Sequence, residues 1–280
     1  MARRRLDAEL VRRGLARSRD TAQELIAAGQ VRVGGQTATK AATQVEEAEA
    51  IVVSEVATAD HYVSRGAHKL IGALDAFPNV VVTGRDCLDA GASTGGFTQV
   101  LLERGAARVI AVDVGYGQLA WPLRTDPRVV VIERTNVRTL TTDQVPFRPG
   151  LVVADLSFIP LSLVLPALTG VAESEADLVL MVKPQFEVGR EAVGDGVVRD
   201  PALRISAVQG VADAAFAHGL AVVDVAASPL PGPRGNVEYF LWLRAGGGRM
   251  EHEGPESWVA PLAPADVTAR IVRAVEEGPR

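Results

Sequence analysis

Seven short apolar runs recur between residues 86 and 243, with helix-length stretches between most of them: 86–90, 109–113, 129–133, 151–155, 178–183, 221–226 and 237–243. Helical patterns fill 96–104, 160–169 and 200–217. Strands that are apolar throughout are buried on both faces, and parallel neighbours need a crossover, usually a helix. The alternation therefore predicts an α/β fold, a doubly wound and mostly parallel sheet of the Rossmann-like kind. No repeat is evident. Residues 245–264 are rich in Gly, Pro and Glu and read as flexible, and Val267, Ile271, Val272 and Val275 mark a short closing helix.

Within that frame, Asp89-Ala-Gly-Ala-Ser-Thr-Gly-Gly-Phe-Thr follows a strand and opens a helix. Glycines in such a turn let backbone approach a ligand closely. A dinucleotide fingerprint needs a glycine where this chain has Ser93, because that glycine admits the diphosphate. An acid at Asp89 also suits a cationic ligand better than a diphosphate. Asp113 closes the next strand, where a carboxylate accepts ribose hydroxyls. The pattern points to S-adenosylmethionine, held by Asp89, Gly91, Ser93, Thr94, Gly95, Gly96, Phe97 and Asp113. Asn136, after the third strand, stands where an amide meets an adenine edge or is a plain loop residue.

Four polar residues are expected at the rim of the same sheet: Lys69, Asp155, Lys183 and Glu238. Methyl transfer from a sulfonium asks the protein to align an acceptor and remove its proton. A neutral lysine takes a hydroxyl proton, and a neighbouring cation stabilises the alkoxide. Lys183 follows five apolar residues and is the expected base. Lys69 is the expected second cation, Asp155 positions Lys183 and itself sits near the methyl group of the donor, and Glu238 orients Lys69 or the ribose. Single residues of these types at strand ends are often only solvated termini; four at one edge beside a donor loop argue for chemistry. Ser157 and Ser228 lack a His–Asp arrangement, and no His/Cys cluster has zinc spacing.

The first 55 or so residues read as a separate unit: helix, helix, hairpin, strand. Leu6, Leu10 and Val11 share one helix face; Ser18 can cap a second helix, with Ala22, Leu25 and Ile26 on its apolar side; Gly34-Gly35 marks a hairpin. The chain of 280 residues has net charge −5, yet its first twenty hold seven arginines against three acids. That asymmetry is either a solvated helical face or a basic module for nucleic acid. The stretch from Arg4 to Gly35 resembles the RNA-binding module named for ribosomal protein S-four. The resemblance implies an RNA surface with Arg4, Arg17, Arg19 and Arg32 facing phosphates. A division into 1–57, a linker 58–63, a catalytic domain 64–244 and a tail 245–280 follows. The single cysteine, Cys87, fits a reducing cytosol, and no secretory signal or membrane span is legible, so a cytoplasmic protein is expected.

Ser64-Arg-Gly-Ala-His-Lys-Leu, Leu88-Asp-Ala-Gly-Ala-Ser-Thr-Gly-Gly-Phe-Thr, Asp113-Val-Gly-Tyr-Gly-Gln-Leu, Ala154-Asp-Leu-Ser-Phe-Ile, Val182-Lys-Pro-Gln-Phe-Glu and Gly232-Pro-Arg-Gly-Asn-Val-Glu-Tyr-Phe together resemble the TlyA ribosomal RNA 2′-O-methyltransferases, whose catalytic domain is of the FtsJ (RrmJ) type. The resemblance implies a Lys-Asp-Lys-Glu tetrad on Lys69, Asp155, Lys183 and Glu238. It implies S-adenosylmethionine as donor and cytidine 2′-O-methylation of small- and large-subunit ribosomal RNA within ribosomal particles. The same family has been called haemolysin-like; an amphipathic lipid-binding helix, which that reading needs, is not legible. A catalytically inactive ribosome-binding module is opposed by the intact tetrad. A pseudouridine synthase bearing the same N-terminal module would have no donor loop.

Overall fold

The computed structural model describes residues 4–16, 19–27, 29–46, 49–53, 61–189, 193–194, 196–232, 235–246 and 259–279. The chain forms two compact units, Met1–His61 and Tyr62–Arg280. The expected linker residues 58–60, the helix cap at Ser18, Arg17 and most of the expected flexible segment lie outside the described residues.

The first unit runs β1 (Arg4–Arg5), α1 (Leu6–Arg12), α2 (Arg19–Ala27), β2 (Val31–Val33), β3 (Gln36–Thr37), β4 (Gln44–Val45) and β5 (Ile51–Val53). An antiparallel sheet of order β3-β2-β5 is joined by a two-residue β1–β4 ladder too short to show periodicity in sequence. Leu6, Leu10, Ala22, Ile26, Val31 and Val45 make its own core. Two buried carboxylates organise the arginines. Asp7 accepts from Arg5 Nε at 3.1 Å, from Arg19 Nη2 at 2.9 Å and from the Ala8 N–H at 2.8 Å. These partners, Arg5 foremost, hold the Asp7 carboxyl well below the usual range. Glu9 accepts from Arg12 and Arg13 at 2.7 and 2.8 Å, which pulls it down to about 2. Four of the seven N-terminal arginines thus pair with these two buried acids, and the net excess of arginine stands. Arg19, expected at the RNA face, spends one end of its guanidinium on Asp7. Arg4 and Arg32 are exposed.

The second unit begins with α3 (Gly66–Ala76). It continues through β6 (Asp86–Ala90), α4 (Gly96–Glu103), β7 (Arg108–Val112), α5 (Trp121–Arg124), β8 (Val129–Ile132), β9 (Leu151–Ala154), α6 (Leu165–Val171), β10 (Asp177–Val182), α7 (Pro184–Glu187), α8 (Pro201–Ala217), β11 (Ala221–Ala227), β12 (Tyr239–Arg244) and α9 (Pro264–Glu277). The seven strands form one sheet of order β11-β12-β10-β9-β6-β7-β8. All neighbours are parallel except β12, which runs antiparallel to both β10 and β11. Strand side chains alternate between the faces. Leu88, Ile110, Val152, Leu180 and Leu241 pack under α6, α8 and α9. Cys87, Val109, Val153, Met181 and Phe240 pack under α3 and α4. Burial pushes the Cys87 thiol up to about 12, so it is a core group and not a nucleophile.

The strands fall within one or two residues of the sequence expectation. Three differences matter. The helix expected at 160–169 starts as a 3₁₀ turn, Leu161–Leu163, and becomes α6 only at Leu165, with Pro166 in its first turn. Glu238 precedes β12 instead of lying in it. Lys69 is not at a strand end: it lies in α3, an element the strand-by-strand reading did not place.

Chain order explains where a ligand goes. From β6 the chain moves outward to β7 and β8, then returns to place β9 on the other side of β6. The crevice beyond the carboxyl ends of β6 and β9 is a topological switch point, the usual ligand position in open α/β sheets.

Candidate active site

The loop after β6 lines that crevice. Gly91 has φ +87°, and a Cβ there would stand 2.7 Å from the Asp155 carbonyl oxygen. Only glycine allows this loop to press against the end of β9. A Cβ at Gly96 would stand 2.2 Å from Ser64 Oγ and 3.0 Å from the Ala67 nitrogen, so the start of α4 abuts the start of α3. Ser93, Thr94, Gly95 and Phe97 complete the turn, with Phe97 buried against Phe240.

Asp113 is tied down by two backbone donors, Ser93 N–H at 2.8 Å and Gly115 N–H at 2.7 Å, which fixes its carboxylate across the loop. Asp89 is fully buried; its Oδ2 accepts from the Thr98 hydroxyl at 2.7 Å, and its Oδ1 has no partner among the described residues. Burial raises the Asp89 carboxyl to about 7. A buried, half-satisfied carboxylate is costly unless a donor or cation completes it. This loop therefore fits a cationic nucleoside. Asn136 is exposed, and its amide oxygen accepts the Arg138 N–H at 3.0 Å, capping a 3₁₀ turn.

The four expected polar residues converge as two ion pairs. Lys69 Nζ reaches Glu238 Oε2 at 2.5 Å, with side chains only 6% and 0% exposed. Lys183 Nζ stands 2.5 Å from Asp155 Oδ1, with 7% and 22% exposed. Lys183 directs its hydrogen bond to the Ser157 hydroxyl at 3.0 Å. Asp155 and Lys183 come together because β9 and β10 are parallel neighbours ending at the same edge. Glu238 enters that edge because β12 runs the other way and begins where β10 ends. Lys69 arrives from above, over Met181, as α3 packs on α4; a Cβ at Gly72 would stand 2.4 Å from Pro229, so α3 lies directly on the turn after β11. A Cβ at Gly232 would fall 2.2 Å from Glu238 Oε1, so the backbone there closes over the carboxylate.

Sequence reasoning missed four residues. Ser157 and Phe158 lie two and three positions past Asp155; Phe158 is 90% exposed, takes φ +66°, and meets Phe186 at 5.2 Å between ring centroids. Glu187 Oε1 accepts the Leu161 N–H at 2.9 Å, tying the turn after Lys183 to the turn after Asp155; burial raises this carboxyl to about 7. Asn236 accepts from the Val198 N–H at 3.0 Å and donates to the Gly196 carbonyl at 2.8 Å. Both described ends of the connection 184–200 are thus pinned; residues 190–192 and 195 lie outside the described set.

A switch-point crevice offering a buried carboxylate to a cation and two lysines to a hydroxyl has the chemistry of a methyl transferase acting from a sulfonium donor. The chain belongs to the FtsJ-like methyltransferase family, which it matches over residues 62–245; residues 4–51 match the S4 domain. The methyl donor is S-adenosylmethionine. The 16S/23S rRNA (cytidine-2′-O)-methyltransferase TlyA of Mycobacterium tuberculosis is 59% identical, covering 100% of both chains. Hemolysin A of Brachyspira hyodysenteriae is 37% identical over 84% of this chain and 98% of its own. A solved structure from Streptococcus thermophilus, also described under the name hemolysin, is 34% identical, covers 99% of this chain and 97% of its own, and superposes with a TM-score of 0.72. Among the described residues, no helix is long and apolar enough to cross a membrane.

Proposed function

We propose that the protein methylates the ribose 2′-hydroxyl of cytidine in ribosomal RNA of the small subunit, the large subunit or both, working on ribosomal particles. The observation that carries this reading is the convergence on the crevice of two lysine–carboxylate pairs in which both lysines and Glu238 are buried. The relative whose whole length matches at 59% identity bears that activity in its name, and the N-terminal S4 domain supplies an RNA-binding unit. Mass spectrometry of ribosomal RNA nucleosides tests it. 2′-O-methylcytidine should appear in RNA from cells that make the protein and be absent from cells that do not. Equal levels in both would overturn the reading.

S-adenosylmethionine supplies an activated methyl group on a sulfonium. In this proposal Asp113 receives the ribose hydroxyls, while Asp89 sets its free oxygen against the cationic end. Lys183 takes the acceptor proton, steadied by Asp155. Lys69, fixed by Glu238, offers positive charge to the developing alkoxide. Phe158, next in the chain to the serine that Lys183 bonds, presents an exposed ring for the acceptor base.

Two tests address the donor residues. Asp113→Ala should weaken S-adenosylmethionine binding by about 10- to 100-fold, since a hydrogen bond to a charged group contributes roughly 1.5–3 kcal/mol. Calorimetric titration measures it, and wild-type affinity would misplace the ribose site. The second test uses pH. Below about 7 the buried Asp89 carboxyl is neutral, and above that value it is ionised. A cation favours the ionised form. Donor affinity should therefore rise about tenfold from pH 6 to pH 8 and level off above. Asp89→Asn should flatten that rise; an unchanged profile would remove Asp89 from the site.

Asp7 takes one end of the Arg19 guanidinium, whereas Arg4 and Arg32 are exposed, so these two give the sharper test of phosphate binding by the first unit. Arg4→Glu with Arg32→Glu should weaken RNA binding and lower the salt slope of log affinity by about 0.7–0.9 for each phosphate no longer neutralised. Affinities at several salt concentrations decide it. Equal slopes would leave these arginines as a solvated face.

A further inference from the structure

Lys183 has a second problem after it has taken a proton: it must give that proton up. Its side chain is 7% exposed, and its nearest ionic neighbour, Asp155, is 22% exposed. Bound donor and RNA would shield both further. Among the described residues, the hydrogen bond that Lys183 Nζ directs outward goes to Ser157 Oγ at 3.0 Å, and Ser157 is solvent-exposed. The chain turns sharply just after it, at Phe158 with φ +66°. That backbone conformation is rare for a bulky residue and persists only where its surroundings hold it. Contacts on both sides do so: Phe158 lies against Phe186, and the Leu161 N–H is tied to Glu187. The turn thus keeps a hydroxyl at the boundary between a buried amine and water.

We propose that Ser157 is a positioning residue for Lys183 and the exit for its proton. This rests on Lys183 being the base. As the ribose O–H bond breaks, its electron pair stays on oxygen and the proton joins the lone pair of Lys183 Nζ. The resulting ammonium passes a proton to Ser157 Oγ while the serine's own hydroxyl proton leaves to water or buffer. Lysine returns neutral and serine unchanged, so no co-reactant is consumed. A hydroxyl both accepts and donates, which suits it to a relay that an alkyl group could not replace.

The test uses the full-length chain, ribosomal subunits and radiolabelled S-adenosylmethionine under single-turnover and multiple-turnover conditions. Ser157→Ala should lower multiple-turnover methylation by ten-fold or more, with donor and RNA dissociation constants within twofold of wild type. Ser157→Thr should restore the rate to within about threefold, because it keeps the hydroxyl. Raising the concentration of a small proton-accepting buffer such as imidazole should speed the alanine variant and leave wild type unchanged. A purely structural role for Ser157 would show no buffer dependence. An alanine variant at wild-type rate, or one whose loss is insensitive to imidazole and not repaired by threonine, overturns the relay. Failure of the function reading looks different: wild type itself would then leave the ribosomal RNA unmethylated.

Discussion

Lys183→Ala should lower methylation by about 10²- to 10⁴-fold, the usual contribution of a positioned general base, while donor and RNA affinities stay near wild type. The split follows from placement. Lys183 sits one residue beyond β10, away from the loop that would hold the nucleoside, and its contacts are Asp155 at 2.5 Å and Ser157 at 3.0 Å. Lys183→Arg sharpens the test. Arginine keeps the positive charge and can still pair with Asp155, yet it has no accessible neutral form. If Lys183 only supplied charge, the arginine variant would keep much of its rate; as the base, it loses as much as the alanine variant. Single-turnover rates separate the cases, and an alanine variant within tenfold of wild type would remove Lys183 from that role.

The second large effect is on folding. Glu238→Ala should destabilise the protein by about 3–5 kcal/mol, because it leaves the Lys69 ammonium buried without its partner. Lys69 and Glu238 side chains are 6% and 0% exposed, and Gly232 closes directly over the carboxylate, so little room remains for water to substitute. The melting temperature should fall on the order of 10 °C. Replacing both partners, as Lys69→Met with Glu238→Gln, should recover most of that stability, since no charge is then stranded. Activity should not return with stability, because the cation beside the acceptor is gone. A Glu238→Ala variant as stable as wild type would mean that the pair is hydrated and contributes little.

These two experiments probe residues whose legibility in sequence was unequal. Lys183 and Asp155 could be placed early because each directly follows a strand that is apolar throughout, and such strands in a doubly wound sheet end at one edge. Asp89, Gly91 and Asp113 were legible for the same reason, since loop and strand-end acid are local patterns. Lys69 was recognisable only by its motif. Its helix does not alternate with the strands, so nothing in the periodicity said that α3 would lie on the turn after β11 and lower an ammonium into the crevice. The arginines of the first unit were legible in number but not in pairing. Their number suggested a surface for phosphate; that Asp7 and Glu9 lie buried among them and bind Arg5, Arg12, Arg13 and Arg19 was not visible.

Ser157 marks the limit most sharply. Judged for a nucleophile's partners, it had none, and its meaning comes from Lys183, 26 residues away along the chain. The sequence by itself determined the alternation of strands and helices, the donor loop, and the edge at which the site must form, because these follow from hydrophobic period, glycine geometry and strand direction. The tertiary structure alone decided which charges pair, which are buried, and which oxygen is left over at Asp89. Pairing and burial depend on distances of a few ångströms between segments far apart in the chain, and Coulomb energy and desolvation change steeply over that range.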